Sequence, residues 1–269
     1  MRGAPAVWFW HAAPLLGVVQ EAALAFAGLA GCDGAMRTAL SLMLSCALAN
    51  PVSALGCARD AMLVFDGSAS MAEVGYDPNA PTRIDEARAA LRQAMPRIAP
   101  VRRVGLLTYG PGGADSCGGI ALQFAPRADA GEAVVGAVEG LRPGGLTPLA
   151  ESVAAAVEVL GHEGIVVLVT DGNETCGGRP CALGAGLAAE RPGITVHVIG
   201  FRVTYDPFSW NSPEAEGYDG KTVAKCLSDR TGGLYVDTQT VEELAEALEV
   251  TLGCTVVGRG PERGVRGAG

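Results

Sequence analysis

AMLVFDGSASM, residues 61–71, changes character at a single residue. Ala61 to Phe65 is an unbroken apolar run, the pattern of a strand buried on both faces. The run ends on a carboxylate, Asp66, and hydroxyls follow at every second position, Ser68 and Ser70. Gly67 and Ala69 between them add no bulk, so both alcohols can turn toward the place where the strand ends.

Downstream, short apolar runs alternate with helical stretches. Strands are predicted at 61–66, 103–109, 119–125, 164–170, 194–200 and 233–237, and helices at 83–98, 129–141, 148–161, 181–190, 221–230 and 241–252. In the first helix Ile84, Ala87, Ala90, Leu91 and Met95 recur at three- and four-residue steps. The last repeats Leu244, Leu248 and Leu252, with Thr240 as its expected cap. Such alternation predicts an α/β fold, a doubly wound, mostly parallel six-stranded sheet with helices on both faces. Only GPGGADSCGG (110–119) joins the second strand to the third. That is too short for a helical crossover, so the third strand is expected as an antiparallel edge.

In doubly wound sheets ligands bind beyond the carboxyl ends of the strands, where strand order reverses. Asp66 ends the first strand and Asp171, in LVTDGNE, ends the fourth; Thr147, in GGLTPLAES, opens the helix leading into that fourth strand. Two carboxylates and three hydroxyls thus arrive from three separate loops. This set suits a hard divalent cation, Mg²⁺ with Mn²⁺ or Ca²⁺ as alternatives. Because hydroxyl ligands are neutral, the cation would keep most of its charge and seek an outside anionic oxygen, such as an exposed Asp or Glu of a protein partner. The plainer reading is that Asp66 and Ser68 only cap the following turn.

The series Asp66-x-Ser68-x-Ser70, then Thr147 within GGLTPL, then Asp171 within TDG, resembles the metal-ion-dependent adhesion site (MIDAS) of the von Willebrand factor type A (VWA) family. The resemblance covers roughly residues 58–253. It implies sheet order 3-2-1-4-5-6 and a protein-binding role, with Ser68, Ser70 and often Thr147 as direct ligands and the two aspartates acting partly through water. The segment from Thr170 to Cys181 is similar to small exported bacterial members of that family.

Composition narrows the alternatives. The 269 residues are 49% hydrophobic and 18% charged, which excludes wholesale disorder, and a net charge of −9 argues against nucleic acid as a partner. Residues 1–54 read as an extension followed by a signal peptide that begins at Met36 and is cleaved after Ala54. The alternative is a lipoprotein box at Leu29–Cys32. The domain is expected at 55–256, and 257–269 as a disordered tail. Export, most simply to the periplasm with no stable membrane span in the mature chain, agrees with six cysteines outside the segment to be lost: Cys57, Cys117, Cys176, Cys181, Cys226 and Cys254. Zinc is the other use of such thiols, but no pair is spaced C-x-x-C and no histidine lies near them in sequence. In the VWA fold, Cys176–Cys181 would clamp the loop beside Asp171. Cys57–Cys254 would join the neighbouring termini and restrain the last helix, leaving Cys117–Cys226.

Two readings compete with a binding module. One is a scaffold of the same fold that uses no metal. The other is a haloacid-dehalogenase-like phosphohydrolase, which needs a second Asp two residues after the first as general acid; Ser68 stands there, and a hydroxyl is a poor acid near neutral pH. No catalytic role and no organic cofactor are therefore expected. Residues 202–220 concentrate Tyr205, Phe208, Trp210 and Tyr218, a candidate contact edge for the partner or else a self-packed loop. His162 and His197 read as structural.

Overall fold

The computed structural model describes residues 59–74, 79–113, 115–203, 213–214 and 222–254. The chain runs β1 (Ala61–Asp66), α1 (Arg83–Ile98), β2 (Val104–Tyr109), β3 (Ala121–Arg127), α2 (Gly131–Glu139), α3 (Leu149–Leu160) and β4 (Glu163–Thr170). It continues with α4 (Pro180–Glu190), β5 (Gly193–Phe201), α5 (Lys225–Thr231), β6 (Tyr235–Thr238) and α6 (Val241–Leu252). The six strands form one sheet in the order β3-β2-β1-β4-β5-β6, parallel except for the β2–β3 pair. Fold class, strand order and the antiparallel edge are those expected from the sequence.

The unbroken apolar runs follow from burial on both sides of the sheet. Ala61, Leu63 and Phe65 of β1 pack on one face with α1, α2 and α6, while Met62 and Val64 pack on the other with α3, α4 and α5. All five residues are at most 1% exposed. At ~25 cal/mol per Å² of apolar surface, the Met62, Leu63, Val64 and Phe65 side chains contribute about 1.5–3 kcal/mol each. The edge strand β3 is mostly exposed, and it carries Pro126, which is tolerated at an edge because no outer neighbour needs its N–H.

Local chemistry sets the element ends. The Thr82 hydroxyl accepts from the Asp85 N–H to cap α1, and Thr240 with Glu243 forms a full capping box on α6. The helix expected from 221 begins at Lys225, because the Thr222 hydroxyl accepts from the Ala224 N–H and closes a turn first. The strand expected from 233 begins at Tyr235. Gly232 adopts φ +72°, and a Cβ on Gly233 would lie 1.9 Å from the Val196 carbonyl oxygen, so this pair ends α5 and turns beneath β5.

His197 lies within β5 as a structural residue: its Nδ1 accepts from the Leu234 N–H at 2.9 Å. Burial, then the charges of Arg59 and Arg102, lower its pKa to about 4. The segments expected to be leader (1–54) and tail (257–269) lie outside the described residues, apart from which no described helix is long and apolar enough to cross a membrane.

Candidate metal centre at the carboxyl ends of β1 and β4

Register places the site. Asp66 is level with Tyr109 of β2, and Phe65 is level with Val169, so Thr170 comes beside Asp66. The Asp66 carboxylate is fully buried. Its Oδ1 accepts from the Ser68 N–H at 2.8 Å and its Oδ2 from the Thr170 hydroxyl at 2.7 Å. Ser68 begins a single 3₁₀ turn (Ala69–Ala72), which brings the Ser68 and Ser70 hydroxyls 3.0 Å apart. Ser70 Oγ then donates to Asp171 Oδ1 at 2.8 Å. Four of the five residues singled out in the sequence are thereby joined in one hydrogen-bonded chain.

Thr147 reaches the group through the backbone around it. The Gly144 N–H donates to the Gly67 carbonyl at 2.9 Å and the Ala69 N–H to the Gly145 carbonyl at 3.2 Å, so the GGLT loop lies along the Asp66–Ser70 loop. This contact needs glycine. A Cβ on Gly110 (φ +104°) would meet Gly67 C at 2.2 Å, and one on Gly145 (φ +65°) would meet the Gly110 oxygen at 2.3 Å. Thr147 itself is gripped on both sides by Thr175, whose hydroxyl accepts from the Thr147 N–H and whose N–H donates to the Thr147 carbonyl.

Three contributors were not picked out from the sequence as site residues. Glu174, fully buried, accepts from the Ala150 N–H at the start of α3 (2.9 Å) and from the Cys176 N–H (2.8 Å), which fixes the start of the helix that Thr147 precedes. No periodicity marks this residue. Arg83 donates through Nη1 to Asp171 Oδ2 at 3.0 Å. Its signal was legible, because a cation in the first turn of a helix opposes the helix dipole. The Tyr109 hydroxyl is buried beside Asp66 and Thr170 without a well-formed hydrogen bond, and its pKa is pushed up by burial and then by the Asp66 charge.

The disulfides differ from expectation. Cys176 pairs with Cys117 and Cys181 with Cys226, in place of the expected Cys176–Cys181 and Cys117–Cys226. The Cα separations are 5.7 and 4.8 Å, both in the range a disulfide requires. The reason is tertiary. Ser116 accepts from the Leu146 N–H, which lays the 116–118 loop beside Thr147 and Cys176. Gly184 lets α4 approach α5 closely, which brings Cys181 to Cys226 at the start of the two helices. Cys254 is disulfide-bonded, and its expected partner, Cys57, lies outside the described residues. So do the aromatics Tyr205, Phe208, Trp210 and Tyr218.

Electrostatically the site is short of positive charge. Burial, then the Asp66 carboxylate, raise the Asp171 pKa to about 7 against the opposing pull of Ser70 and Arg83. Two buried acids beside three hydroxyl-bearing residues form a donor set that fits a hard divalent cation. Among the described residues no cluster of three or more His, Cys, Asp or Glu is placed to hold a metal, so such an ion would depend on the hydroxyls.

Residues 61–174 match the family model of the von Willebrand factor type A domain. A relative, the uncharacterized protein YwmD of Bacillus subtilis (strain 168), is 26% identical over 199 residues, 70% of this chain and 82% of that protein. Among solved structures, the fold is shared with an aerotolerance-related membrane protein of Bacteroides fragilis (TM-score 0.53, 16% identity, 72% of this chain and 98% of that one). It is shared also with the pilus adhesin SpaC of Lactobacillus rhamnosus GG (TM-score 0.53, 16% identity, 72% of this chain and 30% of that one). A third is proximal thread matrix protein 1 of the mussel byssus, solved with a zinc-occupied MIDAS motif (TM-score 0.50, 17% identity, 73% of this chain and 46% of that one). Residues 61–174 thus match a von Willebrand factor type A domain, in a fold shared with the solved structures named above.

Proposed function

We propose that the domain is a divalent-cation-dependent protein-binding module that recognises an acidic residue of its partner. The observation that carries this reading is the hydrogen-bonded series Asp66–Ser68–Ser70–Asp171 at the β1 and β4 ends, with the Thr147 loop strapped alongside. Asp66, Ser68, Ser70, Thr147 and Asp171 would hold the ion, Mg²⁺ first and Mn²⁺ or Ca²⁺ as alternatives. Once bound, the cation supplies a Lewis-acidic position for an anionic oxygen from outside. The chain's own part is orientation. The Ser70 hydroxyl donates to Asp171 and accepts from Ser68, so its oxygen keeps one lone pair for an ion, and Asp66 fixes the Ser68 backbone.

Kinship in fold with a pilus adhesin and with a protein bearing a metal-occupied site supports an interaction role rather than catalysis. The disulfides support an oxidising, exported location, which we assign to the periplasm. A metal-free scaffold is favoured by one observation: both carboxylates already have hydrogen-bond partners within the chain.

Calorimetric titration with Mg²⁺ and Mn²⁺ separates the two readings. Heat in the wild type that disappears in Asp66→Ala is the expected result, and silence in both proteins leaves the scaffold. A pull-down from exported proteins with and without EDTA then identifies a partner whose retention needs the ion.

A further inference from the structure

Arg83 is the first residue of α1, at the positive end of the helix dipole, where acids such as Asp85 and Glu86 are favoured and a cation is not. Its side chain is only 11% exposed. One nitrogen, Nη1, donates to Asp171 Oδ2 (3.0 Å), to the Ser70 carbonyl (3.2 Å) and to Glu73 Oε2 (3.0 Å). The Glu73 side chain is 63% exposed, so water screens that pair, whereas the Asp171 side chain is fully buried and the pairing there acts in a poorly screened setting. The unfavourable helix position is therefore offset at Asp171.

We propose that Arg83 is a positioning residue that sets the ligand preference of the cation site. By pairing with Asp171 it cancels one of two buried negative charges, so that a bound divalent ion keeps a net positive charge and selects a carboxylate. This rests on the cation-dependent reading of the site. With Asp66 and Asp171 both uncompensated, a divalent ion would be neutralised, and an incoming carboxylate would lose its hydration for little return. With Arg83 in place one positive charge remains uncompensated. The pairing also orients Asp171: Arg83 holds Oδ2 while Oδ1 accepts from the Ser70 hydroxyl.

Charge compensation and simple bracing predict opposite results. In Arg83→Gln, which loses the charge but keeps a donor, Mg²⁺ binding at pH 8.5 should tighten on the order of tenfold, while acetate binding to the Mn²⁺-loaded protein should weaken on the order of tenfold. The second quantity is read from water-proton relaxation as acetate displaces water from Mn²⁺. Arg83→Lys, which keeps the charge, should restore both values toward the wild type. A parallel loss of Mg²⁺ affinity in both variants makes Arg83 a brace and overturns the proposal, as does unchanged acetate binding in Arg83→Gln. If the wild type binds neither ion, the cation-dependent reading falls and this one with it. If the wild type binds both ions and Arg83→Gln matches it in both assays, only the role of Arg83 falls.

Discussion

Asp171 and Asp66 share a pocket from which water is excluded, at 2% and 0% exposure, and that crowding makes the site sensitive to pH. Burial and the neighbouring charge raise Asp171 to about 7, above its value in an unfolded chain, so the folded state binds this proton more tightly. The resulting stability is complete below the ordinary carboxylate range near 4 and is lost as pH rises through about 7. In EDTA the melting temperature should therefore rise as pH is lowered from 8 to 6.5, and Asp171→Asn should flatten that slope. Added Mg²⁺ competes with the same proton, so its stabilising shift should shrink over the same interval. A wild-type slope identical to that of Asp171→Asn would refute the assignment. Below pH 6.5 the sign is opposed by His197, held near 4, whose stabilisation fades as the unfolded imidazole takes up protons. The five oxygen-bearing residues were legible in the sequence because strand ends and motif spacing are local. Tyr109 was not, and Arg83 was legible only as a cation misplaced in the first turn of a helix, because the part each plays depends on which side chains it faces.

The short connection from Asp171 to Pro180 determines where α3 begins and hence where Thr147 sits. Glu174 accepts from an N–H in the first turn of α3, Thr175 grips the Thr147 backbone, and Cys176 is bonded to Cys117 beside Ser116. Glu174→Ala leaves the Ala150 and Cys176 N–H groups without their buried acceptor, at a cost of about 2–3 kcal/mol. The expected outcome is a lower denaturation midpoint together with weaker Mg²⁺ binding, although Glu174 is not among the proposed ligands. Unchanged Mg²⁺ affinity in a folded Glu174→Ala protein would separate Glu174 from the site. At this scale the sequence placed each helix to within a few residues, but not the disulfides. Cys176 and Cys181 are close in the chain, yet one faces a loop and the other a neighbouring helix.

Across the whole molecule, Arg102 joins the beginning and end of the described domain. It is 4% exposed, and its guanidinium donates to the carbonyls of Leu252 and Gly253 at the end of α6 and to that of Arg59 ahead of β1. A buried guanidinium bridging these carbonyls fixes the end of α6 to the strand entrances, on the side of the sheet opposite the site. Arg102→Met removes these bonds and should lower the melting temperature by about 5–10 °C, corresponding to roughly 2–3 kcal/mol. Mg²⁺ binding by the folded variant should persist, because the loops around Asp66 and Asp171 are untouched. Loss of Mg²⁺ binding would instead show that the two ends of the sheet are coupled.

The amino-acid sequence by itself determined the alternation of strand and helix, the antiparallel edge and the residues that end β1 and β4. Each of these follows from hydrophobic period, loop length and backbone preference over a few positions. Only the tertiary structure decided which cysteines bond, that Glu174 holds α3, and that a guanidinium faces Asp171. Those outcomes depend on which loops are brought side by side when both faces of the sheet are covered, and distance along the chain carries no information about that.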